Sequence, residues 1–133
     1  MDISSRKLHS SLLNGNIILL STMNQTRIEG SDFGTAELAL DALRAVIDPE
    51  MGMDVVDLGM IYAVEANEGR LRVEMTMTSA ACPMADAIVR DARAVLERSL
   101  PDPMEIEIEL VWDPPWTPAM MSEMARSFFG WGG

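Results

Sequence analysis

The sequence predicts an α+β fold in two layers: a small mixed three-stranded sheet with helices on one face, in the order α-β-β-α-β-α. Three observations predict it. Residues 70–78 alternate strictly, with Leu71, Val73, Met75 and Met77 facing one way and Arg70, Arg72, Glu74, Thr76 and Thr78 the other, which is the period of a half-buried strand. Residues 104–112 alternate as clearly, setting Met104, Ile106, Ile108, Leu110 and Trp112 against Glu105, Glu107 and Glu109. Between the two runs, Met84, Ile88, Ala92, Val95 and Ser99 recur at helical spacing. The last strand therefore follows a helical crossover and runs parallel to the one before it.

The remaining elements follow in order. Residues 1–34 show no sustained period and read as a flexible leader, although Asn14-Gly15 between apolar pairs is a hairpin signal. The domain is expected over 35–130. Residues 35–47 predict a helix with Thr35 as N-cap and Ala36, Ala39, Leu40, Leu43 and Ile47 on one face; Asp48-Pro49 ends it. A loop carrying Asp48, Glu50, Asp54 and Asp57 leads into a strand over 58–65, with Met60, Tyr62 and Val64 sharing a face. Asn67-Glu68-Gly69 turns that strand into its antiparallel neighbour. Pro83 at the first helical position puts Cys82 at the N-cap of the second helix, and Pro101 and Pro103 close it. Asp113-Pro114-Pro115-Trp116 cannot extend a strand. Thr117-Pro118 opens a third helix with Met121, Met124 and Phe128 as its apolar face, stopped at Gly130.

Composition bounds what such a domain can do. The chain has 133 residues and a net charge of −11. The acids Asp2, Glu29 and Asp32 balance Arg6, Lys7 and Arg27 in residues 1–34, so residues 35–133 hold the whole excess. An acidic domain of this kind argues against nucleic acid and anionic membranes as partners. Ile17-Ile18-Leu19-Leu20 is far shorter than the roughly 18–20 apolar residues a bilayer needs. With Asn14, Gly15 and Asn16 breaking the apolar region it is also a poor signal peptide, so the expected location is cytoplasmic. A single cysteine, Cys82, and a single histidine, His9, exclude an intrachain disulfide and most zinc or Cys–His sites.

The predicted topology gathers three loops at one sheet edge: Asp48 to Asp57, Thr78 to Cys82, and Asp113 to Trp116. Ligand sites favour the carboxyl ends of parallel strands. At a helix N-terminus a thiol is stabilised as thiolate by the macrodipole, whereas nearby carboxylates oppose this. On position alone Cys82 reads equally as a reactive thiolate and as a small packed hydrophobe. Loop acids such as Asp48 and Glu50 are commonly solvated, and a Trp116 in this setting is commonly a packed lid. The other sheet face, with Arg70, Arg72, Glu105, Glu107 and Glu109, reads as a solvated surface crossed by ion pairs.

Four motifs in order are more specific. Asp48-Pro49-Glu50, Val56-Asp57-Leu58-Gly59-Met60-Ile61-Tyr62, Met77-Thr78-Ser79-Ala80-Ala81-Cys82-Pro83 and Trp112-Asp113-Pro114-Pro115-Trp116 resemble the iron–sulfur cluster assembly domain family, formerly a domain of unknown function, with its SufT-like and PaaD-like members. The resemblance covers about residues 36–129. No cysteine follows Cys82, so the chain looks like the stand-alone SufT-like type rather than the PaaD-like type with its cysteine-rich tail.

The resemblance implies a non-enzymatic factor that assembles iron–sulfur clusters or delivers them to client apoproteins. It implies Cys82 as the functional thiol and metal ligand, with Asp48, Glu50 and Thr78 clustered near it; Trp116 joins them at the predicted edge. One thiolate per chain is short of the four ligands a cluster usually takes. The expected cofactor is therefore an iron–sulfur cluster or iron, held transiently and shared between chains. The partners it implies are apo client proteins or a cluster scaffold, and a homodimer would double the thiols. Two alternatives stay open. One is a protein-binding adaptor without metal. The other is a thiol-dependent enzyme, which would need a general base beside Cys82.

Overall fold

The computed structural model describes residues 9–13, 16–20, 26–79, 83–101 and 103–130. Its strands are β1 (His9–Leu13), β2 (Asn16–Leu20), β3 (Arg27–Glu29), β4 (Ile47–Asp48), β5 (Met53–Asp54), β6 (Ile61–Asn67), β7 (Arg70–Met75) and β8 (Glu105–Leu110). Its helices are α1 (Phe33–Leu43), α2 (Ala85–Ser99) and α3 (Glu123–Phe128), with a 3-10 turn at Pro118–Met120. The fold is α+β, as the sequence predicts. The sheet is larger than expected: six strands in the order β1-β2-β3-β6-β7-β8, beside a two-stranded β4-β5 ladder.

The central pairing follows the predicted directions. β6 and β7 are antiparallel, and β8 runs parallel to β7. One face carries the rows Ile28, Val64, Val73, Ile108 and Ala66, Leu71, Ile106. These rows pack into one core with Ala36, Ala39 and Leu43 of α1 and Ile88, Ala92, Val95 and Leu96 of α2. Burying each large aliphatic side chain contributes about 1.5–3 kcal/mol. The opposite face carries ion pairs: Arg27 to Glu29 and Glu74, Arg70 to Glu105, and Arg72 to Glu74, Glu107 and Glu109. Period-two alternation sorts the two sets, and a slip of one residue would bury the charges.

The sheet begins N-terminal to the boundary drawn at residue 35. β1 and β2 form an antiparallel hairpin, and β2 pairs with β3; Asn14 and Gly15, the turn signal, lie outside the described residues. β3 runs parallel to β6, with α1 as the crossover between them. Ile28 is in the core, and the buried Thr26 hydroxyl donates to the Ile61 carbonyl at 2.7 Å. A three-residue strand is too short to show alternation, so periodicity alone missed it.

Several boundaries also shift. Asp32, not Thr35, caps α1, its carboxylate accepting from the Thr35 N–H and hydroxyl. α1 ends at Leu43, closed by N–H bonds from Arg44, Ala45 and Val46 back to Asp41, Ala42 and Leu43. Ile47 consequently sits in β4, 49% exposed. Tyr62 does not share a face with Val64, because a bulge between Ile61 and Ala63 leaves it without a β7 partner. β8 stops at Leu110, so Trp112 is exposed rather than inward. Extended backbone at Met121 separates the 3-10 turn from α3, whose N-cap is Ser122. That break resets the helical phase: Met121 and Ala125 are buried, while Met124 and Phe128 are 62% and 70% exposed.

Thr26 provides a test of where the domain starts. Thr26→Val removes the buried donor to Ile61 and should cost about 1–2 kcal/mol in urea unfolding. An unchanged midpoint would detach this segment from the domain.

Candidate functional site

β6 enters the sheet at the edge where β7 and β8 leave it. The segments 46–60 and 111–122 therefore meet residues 76–79 at that edge, while the plain turn Asn67–Gly69 lies at the other. Hydrogen bonds fasten the first and third segments together. The Trp116 indole N–H donates to the Leu58 carbonyl at 2.7 Å, and the Ser122 N–H to the Asp57 carbonyl at 2.8 Å. The Tyr62 hydroxyl, freed by the bulge, donates to the Pro114 carbonyl at 2.7 Å and lies 3.3 Å from the Met120 sulfur. Gly59 has φ +78°, and a Cβ there would run into the Met120 carbonyl. Only glycine permits both that backbone and that approach. A cavity of about 380 Å³ opens beside this seam, lined by Arg27, Gly59, Tyr62, Glu74, Asp113 and Met120 among others.

Asp48 is fully buried. It pairs with Met53 across the β4-β5 ladder, and its carbonyl accepts from the Gly52 N–H at 2.7 Å. One carboxylate oxygen accepts the Glu50 N–H at 2.9 Å; the other, Oδ2, is buried and has no hydrogen-bond partner among the described residues. A buried, acceptor-only oxygen is costly unless a donor or cation reaches it. Glu50 contributes its backbone N–H to Asp48, and its own side chain is exposed. Thr78 is half-buried at the bend after β7.

The structure thus brings Trp116 against the loop that carries Asp48 and Glu50, on the edge Thr78 occupies. No hydrogen bond joins Asp48 directly to Trp116. Cys82 lies outside the described residues. The N-cap position assigned to it belongs instead to Met84, which makes no side-chain cap, because Pro83 and Met84 form a turn before α2 starts at Ala85. Among the described residues, no group of three or more His, Cys, Asp or Glu side chains comes together to hold a metal. No helix among them is long and apolar enough to cross a membrane.

The site has parts the sequence reading passed over. The sequence pattern puts Tyr62 on a strand face with Val64, and only the bulge turns it to the seam. Asp54 was one loop acid among four, yet it accepts the N–H groups of Val56 and Asp57 and faces the Asp57 carboxylate. Burial, together with the carboxylate of Asp57, raises Asp54 to about 6. Arg44 lies 3.5 Å from Asp57 and offsets part of that repulsion.

Residues 37–110 match the family model described as iron-sulfur cluster assembly protein. The chain is 41% identical over 95 residues to the Fe-S protein maturation auxiliary factor YitW of Bacillus subtilis, covering 71% of this chain and 92% of that protein. It is 44% identical over 86 residues to the Fe-S protein maturation auxiliary factor SufT of Staphylococcus aureus, covering 64% and 97%. A crystal structure of a domain of unknown function from Bacillus anthracis superposes with a TM-score of 0.71 at 45% identity, covering 73% of this chain and 92% of that one. The chain belongs to the iron–sulfur cluster assembly protein family.

The Asp54–Asp57 pair sets a pH dependence. Between about pH 4 and pH 6 the folded chain holds a proton on Asp54 that the unfolded chain releases. The stability from this group is therefore fully present below about pH 4 and lost as pH rises through about 6. A two-unit shift corresponds to about 3 kcal/mol, and partial exposure reduces this to about 1–2 kcal/mol. Asp54→Asn should remove that part of the decline in urea titrations compared across this range. An identical pH profile in the variant would contradict the shared-proton pair.

Proposed function

We propose that this member of the iron–sulfur cluster assembly family is a maturation factor that carries an iron–sulfur cluster, or iron, as cargo to client apoproteins. One observation carries the reading furthest: Asp48, fully buried, keeps one carboxylate oxygen without a partner among the described residues, in a loop bound to the Trp116 segment. An oxygen held ready for a donor or cation is what a transient binding edge requires, and is a poor device for stability alone. The names of the SufT and YitW relatives support the same reading.

In this reading Cys82 is the cargo ligand, and Asp48, Glu50, Thr78 and Trp116 shape its surroundings. Asp48 supplies negative charge and an acceptor oxygen, fixed by the Glu50 N–H. Trp116 closes the edge by tying 113–116 to Leu58. A chain with one cysteine leaves most ligand positions to other molecules, because a cluster usually takes four thiolates. Sharing with a second copy, with a client or with a small thiol makes release part of the design. The residues fit passing cargo better than a resident cluster.

The proposal is of a carrier without turnover, working in the cytoplasm. A thiol enzyme would need a base beside Cys82. The single histidine, His9, belongs to β1, and β2, β3 and β6 lie between β1 and β7. At about 4.8 Å per strand that is roughly 19 Å. A metal-free adaptor is the remaining alternative, and the thiol separates the two.

Cys82→Ser should fold with a thermal midpoint near that of the parent, lose iron and sulfide in anaerobic reconstitution, and fail to restore client enzyme activity in cells lacking the factor. Full client activity in a folded Cys82→Ser protein would overturn the carrier reading in favour of the adaptor.

A further inference from the structure

β8 is the last strand of the sheet, and its outer side has no strand beside it among the described residues. The direction of its backbone groups follows from two bonds. The Glu105 N–H donates to the Gly69 carbonyl and the Val111 N–H to the Met75 carbonyl, so odd-numbered residues of β8 turn toward β7. In a parallel ladder, alternate residues turn both backbone groups to the same side. Ile106, Ile108 and Leu110 therefore present theirs to the free edge. The Ile106 carbonyl is already taken by the Arg93 guanidinium at 2.8 Å. Among the described residues nothing takes the N–H and C=O groups of Ile108 and Leu110, which are open to a further strand.

The side chains along this edge are not neutral. Glu105, Glu107 and Glu109 stand in a row on the polar face of the sheet. Glu105 has Arg70 at 3.4 Å. Arg72 serves Glu74 and Glu109 closely and reaches Glu107 only at 4.0 Å, leaving Glu107 the least neutralised and 60% exposed. Ile106, Ile108 and Leu110 alternate with the acids and are half-buried. A groove of about 590 Å³ crosses β6, β7 and the first half of β8, lined by Glu65, Asn67, Arg70, Arg72, Glu105 and Glu107 among others.

We infer that the free edge of β8 docks an extended segment of a partner protein in which basic and apolar residues alternate, added as a seventh strand. Its backbone would take the open groups of Ile108 and Leu110. Its basic side chains would lie beside Glu107 and Glu109, and its apolar ones beside Ile108 and Leu110. Opposite charges across neighbouring strands stabilise pairing and like charges oppose it. A second copy of this chain pairing β8 on β8 would set acids against acids, so charge favours a foreign basic strand over self-association. The inference rests on the strand edge and is independent of whether the chain carries a cluster.

The test uses the full chain and a short alternating lysine–valine peptide. The peptide should bind, weaken with added salt, and protect the Ile108 and Leu110 amides from hydrogen exchange. Glu107→Lys with Glu109→Lys should lower its affinity about tenfold or more and gain binding to the matching glutamate–valine peptide. Glu107→Gln, which leaves the Arg72 pairs with Glu74 and Glu109 in place, should weaken binding in part and guards against misfolding of the double variant. Absence of binding would show the acids merely protecting an exposed edge and would overturn the inference. So would equal binding of a peptide N-methylated on every amide, or binding unchanged in both variants. Concentration-dependent protection of Ile108 and Leu110 without peptide would overturn it in favour of a second copy.

Discussion

The bond from the Trp116 indole to the Leu58 carbonyl is the contact on which the arrangement of the edge depends. Leu58 lies just before the strand that enters the sheet, and Trp116 just after the strand that leaves it. Their junction joins the start of β6 to the exit of β8 across the β7 end. Gly59 makes it possible, since a side chain there would hold the 118–120 turn away. Ser122 on Asp57 and Tyr62 on Pro114 repeat the fastening on either side. A part-buried hydrogen bond of this kind contributes about 1 kcal/mol by itself; its larger effect is to remove the freedom of two loops at once.

The rest of the domain separates support from exposure. The helix-covered face is aliphatic and packed, with α1 and α2 over the central strands. The opposite face is held by charge pairs among β3, β7 and β8, three arginines among more numerous glutamates. Exposed pairs of this kind contribute little each, but a network of them helps to set the register of the strands. The cost of Asp48 is different in kind. Its buried, half-satisfied carboxylate adds nothing to packing, and local conflict of this sort is concentrated at functional positions.

The sequence carried the central fold well because β7 and β8 alternate without interruption and α2 keeps one apolar stripe. Parallel β7–β8 and antiparallel β6–β7 then follow from chain connectivity, and the meeting of the three loops follows from them. What it did not carry depends on single residues. β3 has three residues and no visible period. The bulge at Tyr62 reverses a side chain without changing composition. The extended residue Met121 breaks a pattern that on paper joins Met121, Met124 and Phe128. Asp32 outcompetes Thr35 as the cap because its two oxygens accept from both groups of Thr35. Asp48, Glu50, Thr78 and Trp116 were legible as motif residues; the isolation of one Asp48 oxygen depends on packing and has no sequence signal. Cys82 rests on its motif, since the described residues stop on either side of it.

The central claim is that the edge formed by the segments 46–60, 76–79 and 111–122 receives iron or a cluster. The most direct measurement is amide and indole NMR of the isotopically labelled protein before and after anaerobic iron–sulfur reconstitution. Paramagnetic broadening should be strongest at Asp48, Glu50, Thr78 and the Trp116 indole N–H, and absent at the Asn67–Gly69 turn across the sheet. Broadening centred on that turn or on the β8 edge, or loading that leaves the Trp116 indole signal untouched, would contradict the account.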